Sequence, residues 1–425
     1  MIAAILVFSA AMSAFAQAPL RAPKQEKLLN GLKVLMWSDA QADKVSVKIR
    51  IHAGSAFDPQ GKEGAMQLLA DDLFPNDASR EFFAEDLGGG LEVVTTYDFI
   101  QINAWSKPES FLTMLETLAA AVSNPAIDKD TTAKLRTALF AKLKVSESDP
   151  GYVADQAVAK RLFGTFPYGR PQRGSTTSVQ KIDFADLIYA KQRFLTSDNA
   201  TIAITGNFER DLGYRAVRRY FGSWLKSDKR VPATFRQPDS PDTSPLRIEL
   251  PNFDKNYTRT AITAPARPDK DYVGMLVLTK IWKEQFAYSD IDEQSCGRPY
   301  YQANLLRGTY RVATARKSTG DLFLGRNICI FLGKDADGRY SYPEIKQSDF
   351  DKAKAKTVSE FNDLIQSPPG LSNLWLDLDT FKLQSVDDET RKINAVNLAD
   401  IIQLVDRFRK SPMVTVLVTS SGTNN

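Results

Sequence analysis

Two hydrophobic rhythms alternate along the chain from Leu28 onward. The stretch LNGLKVLMWSD places Asn30-Gly31 between apolar runs, the signature of a β-hairpin. KVSVKIRIHAG then alternates apolar and polar with period two and predicts a strand. From Glu63 to Pro75, EGAMQLLADDLFP switches to helical spacing. Met66, Leu69 and Leu73 share one stripe, and Gln67, Ala70 and Asp71 share another, because residues three and four apart are helix neighbours. LEVVTTYDFIQINAW predicts two more strands with a turn at Tyr97-Asp98. SFLTMLETLAAAVSNPAI, KDTTAKLRTALFAKLKVSES and DFADLIYAKQRFL predict helices, and NATIAITGNF a strand ended by Gly206. DLGYRAVRRYFGSWL predicts a helix with Leu212, Val217, Tyr220 and Phe221 on its apolar face.

Periodicity stops at KSDKRVPATFRQPDSPDTSP, residues 226–245, which is rich in Pro, Ser and charge and predicts a linker. Beyond it the order repeats more faintly. LRIELPN and NYTRTAITAPA predict strands and YVGMLVLTKIWKEQF a helix. TYRVATARKS and DLFLGRNICIFLG predict a strand pair. SDFDKAKAKTVSEFNDLI and NLADIIQLVDRF predict helices, and MVTVLVTS a closing strand. Each half therefore reads as an α+β unit, the second a diverged copy of the first. The expected divisions are a leader over 1–16, one domain over 17–225, a linker over 226–245 and a second domain over 246–425.

Composition narrows the classes. The 425 residues are 43% hydrophobic and 25% charged, with a net charge of +4, so the chain is globular and gives no warrant for a nucleic-acid partner. Its N-terminus, MIAAILVFSAAMSAFA before Gln17, carries an apolar run and an Ala14-Phe15-Ala16 cleavage pattern, which predicts a signal peptide and export. The two cysteines, Cys296 and Cys329, are either one disulfide or two buried thiols, and are too few for a zinc ribbon. The single histidine, His52, excludes any site needing two, and on a strand it reads as a packed or surface residue. Gly88-Gly89-Gly90 is no phosphate loop, since no Lys-Ser/Thr follows.

A set of short elements in fixed order then carries a resemblance. HAGS at 52–55, the helix at 64–74, LGGGLEVVTT at 87–96, FPYGRPQRGST at 166–176, ITGNF at 204–208 and RYFGSWL at 219–225 together resemble the pitrilysin/insulinase zinc metallopeptidases, the group that includes mitochondrial processing peptidase. The resemblance covers nearly the whole mature chain and implies two homologous α/β-sandwich domains joined by a linker. Active members carry H-x-x-E-H on the zinc helix. Here the two histidine positions hold Gln67 and Asp71, and the glutamate position holds Ala70. The third ligand, a glutamate ahead of an Asp-Pro, falls near Ala141 or Lys142, with Glu147 available only to an offset alignment.

The resemblance thus implies a member with no cofactor of its own and no catalytic residue. It would be the zinc-free subunit of a heterodimeric, periplasmic peptidase whose homologous partner carries H-x-x-E-H and the zinc. Peptide or unfolded protein is the implied substrate. A family Arg/Tyr element that grips substrate corresponds to NLLRGTYRVATA and makes Arg307 and Tyr310 the expected substrate-binding pair, against a surface arginine and a packed tyrosine. Leu91 to Thr96 is the expected edge strand for pairing with extended peptide. The alternative is a structural or peptide-binding protein of the same fold with no peptidase partner.

Overall fold

The computed structural model describes residues 22–227, 235–287, 298–316 and 344–420. The leader, both cysteines and the strand expected over 321–333 lie outside these residues.

The first half runs β1 (Lys24–Lys27), β2 (Lys33–Ser38), β3 (Val45–Ile51), α1 (Ala65–Asp72), α2 (Asp77–Glu85), β4 (Gly90–Thr95), β5 (Ile100–Ser106), α3 (Phe111–Ser123), α4 (Lys129–Glu147), α5 (Pro150–Phe163), α6 (Thr176–Val179), α7 (Phe184–Phe194), β6 (Ala200–Gly206) and α8 (Arg210–Phe221). The second half runs β7 (Leu246–Leu250), β8 (Asn256–Ala264), α9 (Tyr272–Ala287), β9 (Arg298–Ala303), β10 (Gly308–Arg316), α10 (Gln347–Gln366), α11 (Pro368–Thr380), α12 (Val386–Ala395), α13 (Leu398–Arg409) and β11 (Met413–Ser420).

The strand orders establish the duplication. The first sheet is β1-β2-β6-β3-β5-β4 and the second β7-β11-β8-β10-β9. Without β1 the two orders superimpose position by position. In each sheet one pair is parallel, β2 with β6 and β7 with β11, and the other pairs are antiparallel. The hairpin expected at Asn30-Gly31 joins β1 to β2, with Gly31 at φ +91°. That left-handed angle suits a residue without Cβ.

One face of each sheet is packed by its own half. Met66 and Leu69 of α1, with Leu73 just past its end, join Val47, Ile49 and Ile102 in the first core. Met275, Trp282, Phe350 and Phe408 join Ile262 and Val312 in the second. On α8 the buried residues are Gly213, Ala216, Val217 and Phe221, whereas Leu212 is 39% exposed. Val217 and Phe221 face the core as expected and Tyr220 packs against it, so Leu212 alone departs from the expected stripe.

The opposite faces are covered by exchange. Helix α5 of the first half lies on β8 and β11, with Ala154, Val158 and Leu162 against Ala261, Val414 and Val416. Helix α11 of the second half lies on β6 and β3, with Leu371, Leu374 and Trp375 against Leu35 and Ala203. Both helices begin with a cap and a proline, Asp149-Pro150 and Ser367-Pro368. Proline at the first helical position gives up a donor that has no intrahelical partner there.

The seam under α11 is polar. Lys48 Nζ donates to Pro369 O at 2.6 Å and to Asn373 Oδ1 at 2.8 Å. Arg50 pairs with Asp377 at 2.6 Å, and Lys33 with Asp379 at 2.7 Å. His52 bonds Thr380 and Thr201, each at 3.0 Å, so the single histidine ties the halves together. Burial lowers the Lys48 ammonium to about 8, with Arg50 adding to the effect.

Candidate functional site

Helix α1 is fixed from below. Asp58 accepts the Gly64 N–H at 2.8 Å and the Met66 N–H at 2.7 Å, two donors that a helix start leaves open. Gly64 sits at φ +104°, and a Cβ there would lie 2.8 Å from the Arg173 carbonyl oxygen. Arg170 donates to the carbonyls of Asp58 and Ala56, and Ser178 to that of Glu63. Burial pushes the Asp58 carboxyl up to about 7, against the pull of its two N–H donors and Arg170.

On this helix Gln67 Nε2 donates to Asp71 Oδ1 at 2.9 Å. The two positions four residues apart are thus closed on each other. Ala70 between them is buried, so the general-base position is a packed methyl. Burial pushes the Asp71 carboxyl up, while Gln67 and the charges of Lys142, Arg80 and Arg173 pull it down. Glu147, the remaining candidate ligand, accepts from Thr176 N at 2.8 Å and Thr176 Oγ1 at 2.6 Å and so holds the start of α6.

These residues do not fit a zinc ion. The two positions offer one carboxylate and a neutral amide already bonded to each other, and the Lys142, Arg80 and Arg173 charges that act on Asp71 oppose a dication. Among the described residues no group of three or more His, Cys, Asp or Glu is arranged to hold a metal. Asp72, next to Asp71, is 2% exposed, and its two oxygens have no hydrogen-bond partner among the described residues. Burial and the Asp128 charge raise it to about 6, against Lys191.

Strand β4 lies at the edge of the first sheet and pairs only with β5 among the described residues. Gln172 donates to Thr95 O at its end, at 2.6 Å. Arg307 and Tyr310 are not brought together on one open face. Tyr310, 1% exposed, packs 5.0 Å from the Trp282 ring and 6.5 Å from that of Phe408. Arg307 lies in the loop before β10 and bonds Gln237. The short spacing puts Tyr310 on β10 itself, and strand alternation turns it into the core.

Residues that sequence reasoning missed lie on the other face of β10. Arg311 pairs with Asp155 of α5 at 2.8 Å and stands over the Tyr300 ring at 5.4 Å. The available signal was alternation: a buried Tyr310 leaves its neighbour on the opposite face. Asp98 ties the halves here as well. It accepts from Tyr168 Oη at 2.7 Å and from Leu305 N at 3.0 Å, and burial raises it to about 6.

Residues 33–176 match the family model described as Insulinase (Peptidase family M16), and residues 181–287 match Peptidase M16 inactive domain. An uncharacterized zinc protease of Mycobacterium bovis is 25% identical over 57% of this chain and 56% of its own length. A probable mitochondrial-processing peptidase subunit beta of Arabidopsis thaliana is 23% identical over 59% of this chain and 48% of its own. The chain thus spans about half the length of the curated relatives it matches. Among solved structures, a protease from Helicobacter pylori aligns over 94% of this chain and 100% of its own, with a TM-score of 0.81 at 16% identity. A peptidase M16 inactive domain from Pseudomonas fluorescens aligns over 95% and 99%, with a TM-score of 0.75 at 16% identity. The paired sheets, the retained helix α1 and these matches place the chain in the insulinase (M16) peptidase family.

Proposed function

We propose that this chain is the non-catalytic, zinc-free subunit of an exported, periplasmic two-chain zinc metallopeptidase. It forms half of the substrate chamber, binds peptide along the edge of β4, and leaves zinc and general base to a homologous partner bearing H-x-x-E-H. The carrying observation is helix α1, held in place by Asp58 while its ligand positions are spent on the Gln67–Asp71 bond beside the Lys142 charge. A helix kept in position but stripped of its chemistry suits a wall rather than a catalyst. Edge strand β4 supports the peptide role, because a free edge offers main-chain donors and acceptors to an extended chain. In this reading Arg307, in its loop, is the substrate-contacting residue of the expected pair, and Tyr310 supports the sheet from inside.

The test is capture of the tagged mature chain from its native exported fraction, with mass spectrometry of what accompanies it. A stoichiometric homologue bearing H-x-x-E-H supports the reading, and Arg307→Ala should then lower the pair's peptidase activity. The second reading, a scaffold or peptide-binding protein with no peptidase partner, is favoured by the burial of Tyr310. Recovery of the chain alone, or peptidase activity indifferent to Arg307→Ala, would select it.

A further inference from the structure

Helix α5 covers the inner face of the second sheet mainly over β11 and β8. Beside it, toward β10 and β9, a cleft of about 190 Å³ remains between the halves. Its walls include Tyr97 and Tyr152 from the first half and Tyr300, Gln302 and Arg311 from the second. Arg311 is the cation of this cleft, and its hydrogen bonding is incomplete. Its only described carboxylate is Asp155, and the same Oδ1 that it meets at 2.8 Å also accepts Arg259 Nε at 2.5 Å. Arg311 Nε is buried and has no partner among the described residues. The Arg311 side chain is nevertheless 25% exposed, and a guanidinium that lines a cleft with part of its donors still in reach is met best by a planar anionic acceptor bonded by two N–H groups. Tyr300 faces it across the β9–β10 register and supplies a flat wall for an aliphatic or peptide stem.

We propose that this cleft is a carboxylate-binding subsite for short peptides, with Arg311 as the carboxylate ligand and Tyr300 as the wall beside it. The proposal rests on the reading of the chain as a peptide-binding subunit and names the chemistry it selects. The carboxylate comes either from a peptide C-terminus or from an acidic side chain.

Calorimetric titration of the purified mature chain separates the two sources. The probes are N-acetyl-trialanine with a free carboxylate, the same peptide as its C-terminal amide, and N-acetyl-Ala-Glu-Ala-amide. A free-carboxylate probe should bind at least about tenfold more tightly than the uncharged amide, the loss expected for one charge-assisted bidentate contact. Preference for the first probe identifies a C-terminus, and preference for the third an acidic side chain. Arg311→Gln should abolish the difference, while Arg311→Lys should retain part of it. Thermal unfolding reports whether Arg311→Gln still folds; Asp155 keeps Arg259 in that variant. Tyr300→Leu, at an exposed position, is a second variant, expected to weaken binding several-fold with the fold intact. Equal binding of acid and amide, no binding of any carboxylate probe, or indifference to Arg311→Gln would overturn the subsite. Recovery of a zinc-bearing partner alongside such a result would leave the subunit reading standing, so the two fail separately.

Discussion

Asp377→Ala removes the carboxylate that holds Arg50 between the two halves. The Arg50 side chain is 3% exposed. It gives one N–H group to Asp377 at 2.6 Å, Nε to Gln101 Oε1 at 2.7 Å, and a longer bond to Thr380 at 3.3 Å. Its guanidinium also lies 4.0 Å from the Phe99 ring centroid. Without Asp377 the charge stays buried with neutral acceptors only. Breaking a buried pair from one side costs roughly 3–5 kcal/mol. Asp377 is 28% exposed, so water can replace part of it, and Asp379 lies within Coulombic reach. The expected loss is therefore at the low end, about 3 kcal/mol. Urea unfolding followed by circular dichroism measures it. Because α5 and α11 each complete the other half's sheet, one cooperative transition is expected in both proteins. The double variant Arg50→Met, Asp377→Ala should regain most of the loss, since it removes the stranded charge as well. A loss under about 0.5 kcal/mol, or a double variant no better than the single one, would refute the argument.

Three further outcomes follow from the same geometry. The variant carrying Gln67→His, Ala70→Glu, Asp71→His and Lys142→Glu should acquire stoichiometric zinc, because α1 preserves the four-residue spacing; metal analysis after dialysis reads the result. Stability should rise as pH falls from about 7.5 to about 5.5, because Asp58, Asp72 and Asp98 are raised in the fold and carry an ionisation penalty above their folded values. That penalty is relieved by protonation; Asp98 alone contributes on the order of 1 kcal/mol over this range, and melting temperatures across the pH series check the sign. Asp72→Asn should stabilise the chain by about 1 kcal/mol at pH 8 and by much less at pH 5, since it removes a buried charge that only the higher pH creates.

The local elements were legible where one face was apolar and the other solvated. The stripe Met66, Leu69 and Leu73, the alternation through β3 and the paired strands around Tyr97-Asp98 all stand as the periodicity indicates. What stayed hidden was the exchange between halves. Lys48, Arg50 and His52 alternate with apolar residues like the solvated side of a strand, yet α11 lies on them through hydrogen bonds. Polar patterning cannot distinguish water from a polar partner. Helices α5 and α11 were not predicted: they begin in Pro-Gly and Pro-Pro-Gly, residues that also punctuate loops, with Asp149 and Ser367 as caps. Helix α2 and helix α12 were missed for a related reason: each is short and mostly polar, and leaves few buried residues to mark a stripe. At the candidate site, the shared face of Gln67, Ala70 and Asp71 follows from helical spacing, whereas their standing at zinc-site positions is what the family resemblance implies. Arg311 with Asp155 was not, since the two residues meet only when the halves dock.

The central claim is that helix α1 holds no zinc and that this chain does no peptidase chemistry by itself. Metal content of the purified chain, measured by mass spectrometry after exchange into zinc-containing buffer and removal of free metal, tests it most directly. The account predicts far less than one zinc per chain and a melting temperature indifferent to chelator. One zinc per chain, lost with chelator together with thermal stability and a chain-borne peptidase activity, would contradict it.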